Sequence, residues 1–445
     1  MAVHLPKGTR DFLPRQMSIR TRVIDTLRRV FTRYGFDAVE TPAFERIETL
    51  TGKYSDENDK LMYRIHKRGK EAKPGECDLG LRYDLTVPLA RLVAMHPELR
   101  MPFKRYQIQP VWRADRPQKG RFREFYQCDV DILGTESTLA DAECIAVIAD
   151  ALKELGFKKY TVLLNDRRIL SDFAQKAGAQ TPQEEMSVLT AIDKLDKIGV
   201  ERVQQELTGR GFNAAGLQPL WTLMETKSSN EACLEALTTM VDARGKDGVA
   251  TIREIVENLS DMGIPISQIR IDPTLARGSD YYTGPVFELH VDEPKVGSLG
   301  GGGRYDRLIG SFSGKDIPAV GFSFGLERIL VVMEELGMIE PTNTAADILV
   351  TVFSDELRAT SSRFANQLRA AGIPTDLYLG TGKFKSQFKY ANARGYPFMA
   401  VIGPDEKDAS KVAIKNLANG EQELVEQKNA ASVLHGYTAG VSPEG

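Results

Sequence analysis

The sequence feature that most constrains the fold is an alternation of side-chain types over residues 122–133, FREFYQCDVDIL. Even-numbered positions are mostly apolar, with Glu124 as the exception, whereas odd-numbered positions carry Arg123, Phe125, Gln127, Asp129 and Asp131. Because successive side chains of a strand point to opposite faces, this pattern predicts one apolar face and one face of aromatic, amide and carboxylate groups. Residues 103–112 predict a preceding strand, so that the two strands form a hairpin around a charged loop.

The loop itself, RADRPQKGR from Arg113 to Arg121, is dense in arginine and lysine. A guanidinium–phosphate contact contributes about 1.5–3 kcal/mol, so a few such contacts orient a triphosphate. The alternative is a solvated hairpin tip. The polar face of the following strand favours a ligand, since an aromatic ring stacks on a nucleobase and a carboxylate binds an ammonium or imidazole group.

Three further segments carry residues suited to the same ligand, and each has a structural alternative. In ARGSDYYTG, Arg277 precedes Tyr281 and Tyr282, which suits a polar pocket but equally a buried strand. The glycine run 300–303 lacks the phosphate-loop pattern, so it either brings backbone close to a ligand or forms a tight hairpin. Arg328 follows a glycine-broken strand at a helix start, which favours an anion or is simply solvated.

Hydrophobic periodicity divides the chain into segments. A helix is predicted from Ser18 to Tyr34, followed by a strand that Pro42 stops. A polar helical region reaches about residue 258, and the proline-bearing stretch 340–347 is a linker before alternating strands and helices. We therefore predict an α+β catalytic domain and two further domains, with the bounds 1–165 plus 259–336 for the catalytic core, 166–258 for a helical insertion and 345–435 for a C-terminal α/β domain.

Composition excludes several classes of function. With 445 residues and a formal charge of -3, the chain lacks the positive electrostatic field of a protein that coats DNA. Its four cysteines form no CxxC pair and its five histidines no HExxH, so neither structural nor catalytic zinc is expected. The sequence has no run of about 18 apolar residues, so we expect a reduced cytoplasmic chain without membrane contact.

Taken together, these motifs resemble the class II aminoacyl-tRNA synthetases, and specifically the histidyl-tRNA synthetase family, nearly end to end. The resemblance includes KGTRDFLP at the start, the helix and strand ending at Pro42 as motif 1, and GFSFGLER as motif 3. Its most specific parts are NDRRIL at 165–170, IDKLDKIG at 192–199 and LARGSDYYTG at 275–284, with LRYDLTVPLAR at 81–91 and RADRPQKGRFREFYQCDVDILG, motif 2, at 113–134. The resemblance implies an antiparallel catalytic sheet flanked by helices, a homodimer and an anticodon-binding tail.

The resemblance also implies a role for each site residue. For ATP, it implies that Arg113 holds the α-phosphate, that Phe125 stacks on adenine and that Arg328 grips the γ-phosphate, with Arg121 and Arg123 assisting. For histidine, Asp84, Thr86 and Gln127 would hold the α-ammonium group, and Asp131, Tyr282 and Tyr281 would contact the imidazole. Arg113 would also hold the histidine carboxylate, and Arg277 would stabilise the charge that develops on the α-phosphate.

The partners that this implies are histidine, ATP with Mg²⁺, and histidine tRNA. Gln118 resembles the residue that helps to read the 5′ end of that tRNA. Lys383, Lys385 and Lys389 in the tail are available to phosphates or form a solvated helix face. Two alternatives remain, namely a non-catalytic synthetase-like regulatory subunit and a tRNA-sensing paralogue.

Overall fold

The computed structural model describes residues 3–52, 59–69, 72–226, 229–276, 281–294, 296–380 and 382–439. The chain divides into two compact units. The first unit comprises residues 1–10 and 23–338, and the second comprises residues 11–22 and 339–445. The predicted linker at 340–347 therefore lies at the start of the second unit's main segment. The separate insertion domain at 166–258 stays a prediction.

The strands of the first unit fall into two sheets. In chain order they are β1 Asp37–Ala38, β2 Phe44–Arg46, β3 Arg64–His66, β4 Cys77–Leu81, β5 Phe103–Trp112, β6 Glu124–Leu133, β7 Thr161–Asp166, β8 Ile269–Ile271, β9 Pro285–His290, β10 Gly300–Arg304 and β11 Ala319–Gly325. The larger sheet has eight strands in the order β1-β5-β6-β11-β10-β9-β7-β8, and β2, β4 and β3 form a smaller one.

The large sheet is antiparallel from β5 through β7, as predicted. Its two outer strands differ, because β1 pairs with β5 and β8 pairs with β7 in parallel. The strand predicted up to Pro42 is much shorter than expected and ends at Ala38. Beyond that point the carbonyls of Thr41 and Pro42 accept hydrogen bonds from the guanidinium of Arg82, at 2.7 and 3.1 Å, instead of extending the ladder.

The predicted hairpin forms with the expected register. Strand β5 has the predicted bounds and pairs with β6 from Phe103 opposite Leu133 to Trp112 opposite Glu124. The helix Thr138–Glu154 packs against β6 and β11. The even-numbered apolar side chains Cys128, Val130 and Ile132 are buried. The apolar face of the alternation is therefore part of the core.

The glycine run is a central strand, so the tight hairpin is wrong, and the close approach seen here is between two strands; approach of this backbone to a ligand stays a prediction. Strand β10 lies between β9 and β11. A Cβ atom on Gly302 would lie 2.0 Å from the carbonyl oxygen of Gly321. A Cβ atom on Gly300 would lie 2.5 Å from the carbonyl oxygen of Ser323. Only glycine fits where the two strands approach this closely.

The helices of the first unit include the predicted helical stretch between β7 and β8. Helix α1, Pro14–Arg33, begins in the second unit and ends before Gly35, whose φ is 75°. Side chains cap several others, such as Ser137 at the helix Thr138–Glu154 and Thr181 with Glu184 at the helix Pro182–Ile192. The remaining bounds are α2 Ile47–Leu50, α3 Thr86–Met95, α4 Thr138–Glu154, α5 Arg167–Lys176, α6 Pro182–Ile192, α7 Leu195–Gly209, α8 Gln218–Glu225, α9 Asn230–Met240, α10 Ala243–Asp261, α11 Gly310–Ser313 and α12 Leu326–Glu335.

The second unit contains the predicted α/β tail. Its five strands are β12 Ile348–Val350, β13 Thr375–Leu377, β14 Phe398–Val401, β15 Lys411–Asn416 and β16 Gln422–Glu426. They form one sheet in the order β13-β12-β14-β15-β16, with β12 parallel to both neighbours. Ile348, Phe364 and Leu368 belong to its buried core. Its helices are α13 Arg358–Ala370, α14 Phe384–Arg394, α15 Pro404–Asp408 and α16 Ala430–Ala439.

Candidate active site

A cleft of about 350 Å³ lies on one face of the large sheet, where the odd-numbered side chains of β6 line it together with residues of β10 and β11. This volume is within the usual range for small-molecule sites, roughly 300–1,000 Å³. Ten of the residues singled out from the sequence line it, namely Asp84, Thr86, Arg113, Arg121, Phe125, Gln127, Asp131, Tyr281, Tyr282 and Arg328. The fold therefore brings together residues that are up to 244 positions apart, since 328 − 84 = 244.

Three predicted site residues are not among those that line the cleft. Arg277 lies outside the described residues. Gln118 is exposed at the tip of the hairpin loop, where its backbone pairs with Arg121. Arg123 donates from Nε to the carbonyl of Asp115 at 3.1 Å and from Nη1 to that of Lys7 at 3.3 Å. Arg123 thus ties the N-terminal segment to the loop, and any contribution to ATP binding would be indirect.

One end of the cleft, near Phe125, is rich in guanidinium groups. The guanidinium carbon of Arg113 lies 4.2 Å from the ring centre of Tyr83 and 5.2 Å from that of Phe125. Its Nε donates to the carbonyl of Tyr83 at 3.0 Å, which leaves the outer edge of the guanidinium as the part available to an anion. Arg121 pairs with Asp115 at 3.1 Å. Two cations are thus held at the loop by neighbouring groups.

Arg328 joins this end because β11 breaks at Gly325, as predicted, and continues as α12. Its Nη1 donates to the carbonyl of Ser298 at 2.5 Å, just before β10. The adjacent Glu327 is buried, and its Oε2 accepts a hydrogen bond from the backbone N–H of Tyr126 at 2.9 Å. The helix start and the hairpin strand are therefore locked together beside the arginines.

The other end of the cleft is acidic. Asp131 is buried, accepts a hydrogen bond from the Tyr305 hydroxyl and lies 2.6 Å from Nη2 of the fully buried Arg105. Burial raises the pKa of Asp131, while Arg105 acts in the opposite direction. Burial and the nearby Asp131 also raise the pKa of Asp129, again against Arg105. Two buried carboxylates thus share one buried cation, which leaves a site suited to a cationic ligand.

The side walls of this acidic end come from two other segments. Asp84 lies just before α3, and its Oδ1 accepts hydrogen bonds from the first two N–H groups of that helix, those of Thr86 and Val87, at 3.1 and 3.0 Å. The rings of Tyr281 and Tyr282 pack edge to face, 5.1 Å apart. A Cβ atom on Gly303 would lie 2.9 Å from the Tyr282 ring. The glycine strand therefore leaves the space that Tyr282 occupies.

Two acceptor atoms at this end have neither a hydrogen-bond nor an ion-pair partner among the described residues. They are Gln127 Oε1 and Asp129 Oδ1, and both are buried atoms of residues that line the cleft, whereas Asp131 Oδ2 is paired with Arg105. A buried acceptor without a partner is unfavourable by about 1–3 kcal/mol. A ligand that carries several N–H donors would satisfy both acceptors.

Sequence reasoning did not assign several residues that the structure places here. Asp129 was included in the alternation but given no role, and the alternation itself was the signal for it. Arg105 occupies the position on β5 directly opposite Asp131, a relationship that only the hairpin register reveals. The others are Tyr305, Ser323 and Glu327. Ser323 and Glu327 lie in the segment GFSFGLER, which was assigned to the site only through Arg328, and Tyr305 follows the glycine run.

Two family models match the chain and together cover most of it. The model described as histidyl-tRNA synthetase matches residues 8–329, and the model described as anticodon binding domain matches residues 347–436. The chain belongs to the histidyl-tRNA synthetase family. This agrees with the class II sheet and with the polar residues gathered on it.

Individual members of the histidyl-tRNA synthetase family match over nearly the full length. The chain is 42% identical to a histidine–tRNA ligase of Gloeobacter violaceus, covering 96% of this chain and 97% of that protein. It is also 42% identical to one of Cytophaga hutchinsonii, covering 94% and 96%. The crystal structure of histidyl-tRNA synthetase from Nostoc sp. PCC 7120 superposes with a TM-score of 0.85 at 31% identity, covering 98% of this chain and 100% of that one.

Among the described residues, no helix combines the length and hydropathy needed to cross a bilayer.

Proposed function

We propose that this protein activates histidine with ATP and transfers it to the 3′ end of histidine tRNA. The observation that carries the proposal is the division of one cleft into two ends, with guanidinium groups around Phe125 and, around Asp131, the unpartnered acceptors of Gln127 and Asp129. A nucleotide and a cationic amino acid match these two ends in charge. Positioned side by side, they need no protein nucleophile, since the amino-acid carboxylate itself attacks the phosphate.

At the acidic end, histidine would bind through its two nitrogen-bearing groups. Gln127, with Asp84 and Thr86, would hold the α-ammonium group. Asp131, with Tyr282 and Tyr281, would contact the imidazole. Charge-assisted hydrogen bonds of this kind contribute about 1.5–3 kcal/mol each, which explains selection for a side chain that carries donors over an apolar one of similar size.

At the opposite end, the nucleotide would lie among the arginines. Phe125 is placed to stack on adenine, Arg113 to contact the α-phosphate and the histidine carboxylate, and Arg328 to contact the γ-phosphate. Arg121 would add a further contact, and Arg123 would act through the loop that it holds. Stacking of a base on an aromatic ring contributes about 1–3 kcal/mol.

The chemistry follows from this arrangement in two steps. An oxygen of the histidine carboxylate attacks the α-phosphorus, the bond to the bridging oxygen breaks, and pyrophosphate leaves. The terminal ribose hydroxyl of the tRNA then attacks the carbonyl carbon, and AMP leaves. Fixed guanidinium groups stabilise the charge that builds on the α-phosphate. Arg113 supplies one of these guanidinium groups. We propose that Arg277, which is not among the described residues, supplies another.

The residues near the arginines also fit Mg²⁺ bound together with ATP. Mg²⁺ usually takes one or two carboxylates and completes its shell with water and phosphate oxygens. Glu327 and Asp115 face the cleft at this end and could supply those carboxylates. Within the described chain, no group of three or more His, Cys, Asp or Glu residues could hold a metal, so the phosphates would complete the site. Bound magnesium would neutralise phosphate charge.

The proposal extends to tRNA and assembly. Gln118 is exposed at the loop tip, where it could reach the 5′ end of a bound tRNA. Lys383, Lys385 and Lys389 are exposed, and the latter two lie one turn apart on α14, a spacing that suits contact with an RNA backbone. We further propose a homodimer in the cytoplasm. Its mass in solution by light scattering tests the assembly, and a monomeric mass at micromolar concentration would contradict it.

Histidine-dependent exchange of pyrophosphate into ATP tests the central proposal. The purified protein should catalyse exchange with histidine and with none of the other amino acids, and should charge histidine tRNA. A folded protein that charges nothing would favour the regulatory subunit or the tRNA-sensing paralogue instead. The relatives named above are ligases, which supports the enzyme over both alternatives.

A further inference from the structure

Thr283 and Asp306 are hydrogen-bonded to each other beside the tyrosines of the cleft, although neither is among the residues that line it. The Thr283 hydroxyl donates to Oδ2 of Asp306 at 2.9 Å and accepts from the backbone N–H of Asp306 at 3.1 Å. The backbone N–H of Thr283 donates to the carbonyl of Arg304 at 2.8 Å. The segment that carries Tyr281 and Tyr282 is therefore tied, at the residue that follows it, to the chain at the end of β10.

Asp306 is itself held by groups from other elements. Its Oδ1 accepts a hydrogen bond from the backbone N–H of Ala319, the first residue of β11, at 3.2 Å, and lies 3.4 Å from Nη1 of Arg304. Arg304 is buried, and its Nε and Nη2 atoms donate to the carboxylate of Asp141 in α4 at 3.2 and 2.5 Å. Because Asp306 has these fixed partners, it offers Thr283 an acceptor in a defined position.

The middle residue of the stretch 304–306 connects the same part of the chain to the cleft. The Tyr305 hydroxyl donates to Oδ1 of Asp131, and the Tyr305 ring packs edge to face on the Tyr281 ring with 5.8 Å between their centres. One short stretch therefore contacts the acidic group of the cleft through its middle residue and holds the tyrosine segment through the residues on either side.

We propose that Thr283 and Asp306 are positioning residues that hold Tyr281 and Tyr282 in place for the imidazole of the bound amino acid. This inference rests on the proposed function, in which the two tyrosines contact that imidazole. The backbone hydrogen bond of Thr283 fixes one point of the tyrosine segment, and the contact between hydroxyl and carboxylate fixes a second, so the direction of the segment is set as well. Side chains that are held before the ligand arrives lose less freedom on binding.

Thr283→Val tests the inference, because valine is of nearly the same size but its side chain neither donates nor accepts a hydrogen bond. In histidine-dependent pyrophosphate exchange, the KM for histidine should rise at least about fivefold, since full loss of a hydrogen bond to a charged group corresponds to about tenfold or more. The kcat and the KM for ATP should change by less than about threefold. Thr283→Ser keeps the hydroxyl and should restore the wild-type KM for histidine.

Thr251→Val is a matched control, because it also removes a hydroxyl that an arginine contacts. Nη2 of Arg168 donates to this hydroxyl at 2.8 Å, and Thr251 is not among the residues that line the cleft. Its KM for histidine should stay at the wild-type value. Asp306→Ala should raise the KM for histidine as Thr283→Val does. In the Asp306→Ala background, Thr283→Val should then raise this KM at least about twofold less than in the wild type.

Several results would overturn the inference while the wild type remains active. They are an unchanged KM for histidine in Thr283→Val, an equal rise in the KM for histidine and for ATP, and failure of Thr283→Ser to restore the wild-type value. Effects of Thr283→Val and Asp306→Ala that simply multiply would overturn it as well, because the two residues would then act separately. If Asp306→Ala does not fold, the comparison of valine with serine at position 283 decides. Wild-type protein without exchange would instead overturn the proposed function, and this inference with it.

Discussion

The carboxylate of Asp131 occupies the space beside Gly321, its partner in the pairing of β6 with β11. A Cβ atom on Gly321 would lie 1.9 Å from Asp131 Oδ1 and 2.5 Å from its Cγ. The glycine that opens the sequence GFSFGLER thus leaves room for an acidic side chain of the opposite strand. Asp131 is in turn fixed by Arg105 and Tyr305, so it cannot move aside without breaking those contacts.

Gly321→Ala should therefore displace the Asp131 carboxylate and weaken histidine binding selectively. We expect the KM for histidine to rise at least tenfold, corresponding to about 1.4 kcal/mol, with a much smaller change in the KM for ATP. Steady-state pyrophosphate exchange measures both. Gly284→Ala is a matched control, because its Cβ would come no closer than 3.5 Å to a neighbour. Equal weakening of histidine and ATP binding by Gly321→Ala would mean a general disturbance of the sheet.

Arg113→Lys should reduce the rate of histidine activation much more than histidine binding. Lysine keeps the charge, but its single nitrogen cannot contact the Tyr83 carbonyl and also present to a phosphate the planar two-nitrogen edge that a guanidinium offers. Loss of one such transition-state contact typically lowers kcat about 10²–10³-fold. Single-turnover formation of histidyl-adenylate measures this step. The exposed Arg116 of the same loop does not line the cleft, so Arg116→Lys should leave the rate nearly unchanged.

Arg105→Met should destabilise the first unit, because it leaves two buried carboxylates without their shared cation. Removing one partner of a buried ion pair typically lowers the free energy of unfolding by about 3–5 kcal/mol. The loss should be smaller at pH 5 than at pH 8, since protonation then removes the uncompensated charge. Urea unfolding measures it. Arg358→Met removes an ion pair whose side chains are 70% and 89% exposed, and it should cost less than about 1 kcal/mol.

The sequence predicted those parts of the fold that depend on local pattern. The alternation on β6 and the break at Gly325 are local, and each lies where it was expected. The bounds of β5 were predicted without error because charged and proline-bearing turns flank it. The strand near Pro42 was predicted too long, because Arg82, some 40 residues away in sequence, takes the carbonyls that a longer strand would have used.

The site was predicted less completely, for a related reason. Side chains that meet the ligand directly, such as Gln127 and Asp131, stand on one face of a recognisable strand. Arg105 and Ser323 act on those side chains from neighbouring strands. Their importance follows from cross-strand register, which the sequence of a single strand does not contain. The glycine run likewise could not be distinguished from a tight hairpin without knowing that β10 lies between two other strands.

The raised pKa of Asp129 predicts that the ligand-free protein loses stability as the pH rises. This carboxyl faces Arg105 across the hairpin, Asp131 on its own strand and Asp84 before α3, and burial together with the two acids outweighs Arg105. A carboxyl with a raised folded-state pKa binds more protons folded than unfolded. Its contribution is therefore fully present below the unfolded pKa of about 4 and is lost as the pH rises through the folded pKa.

Asp129→Asn removes this titration, so the stability of the wild type relative to the variant should fall steadily from pH 5 to pH 8. Urea unfolding at several pH values, without histidine or ATP, measures the difference between the two proteins. Asp408→Asn, at an exposed carboxylate, should follow the wild type throughout. Saturating histidine should flatten the wild-type curve, because a bound cation replaces the proton as the partner of the buried carboxylates. Parallel curves for wild type and Asp129→Asn would mean that Asp129 is ionised across the whole range, with Arg105 compensating it fully.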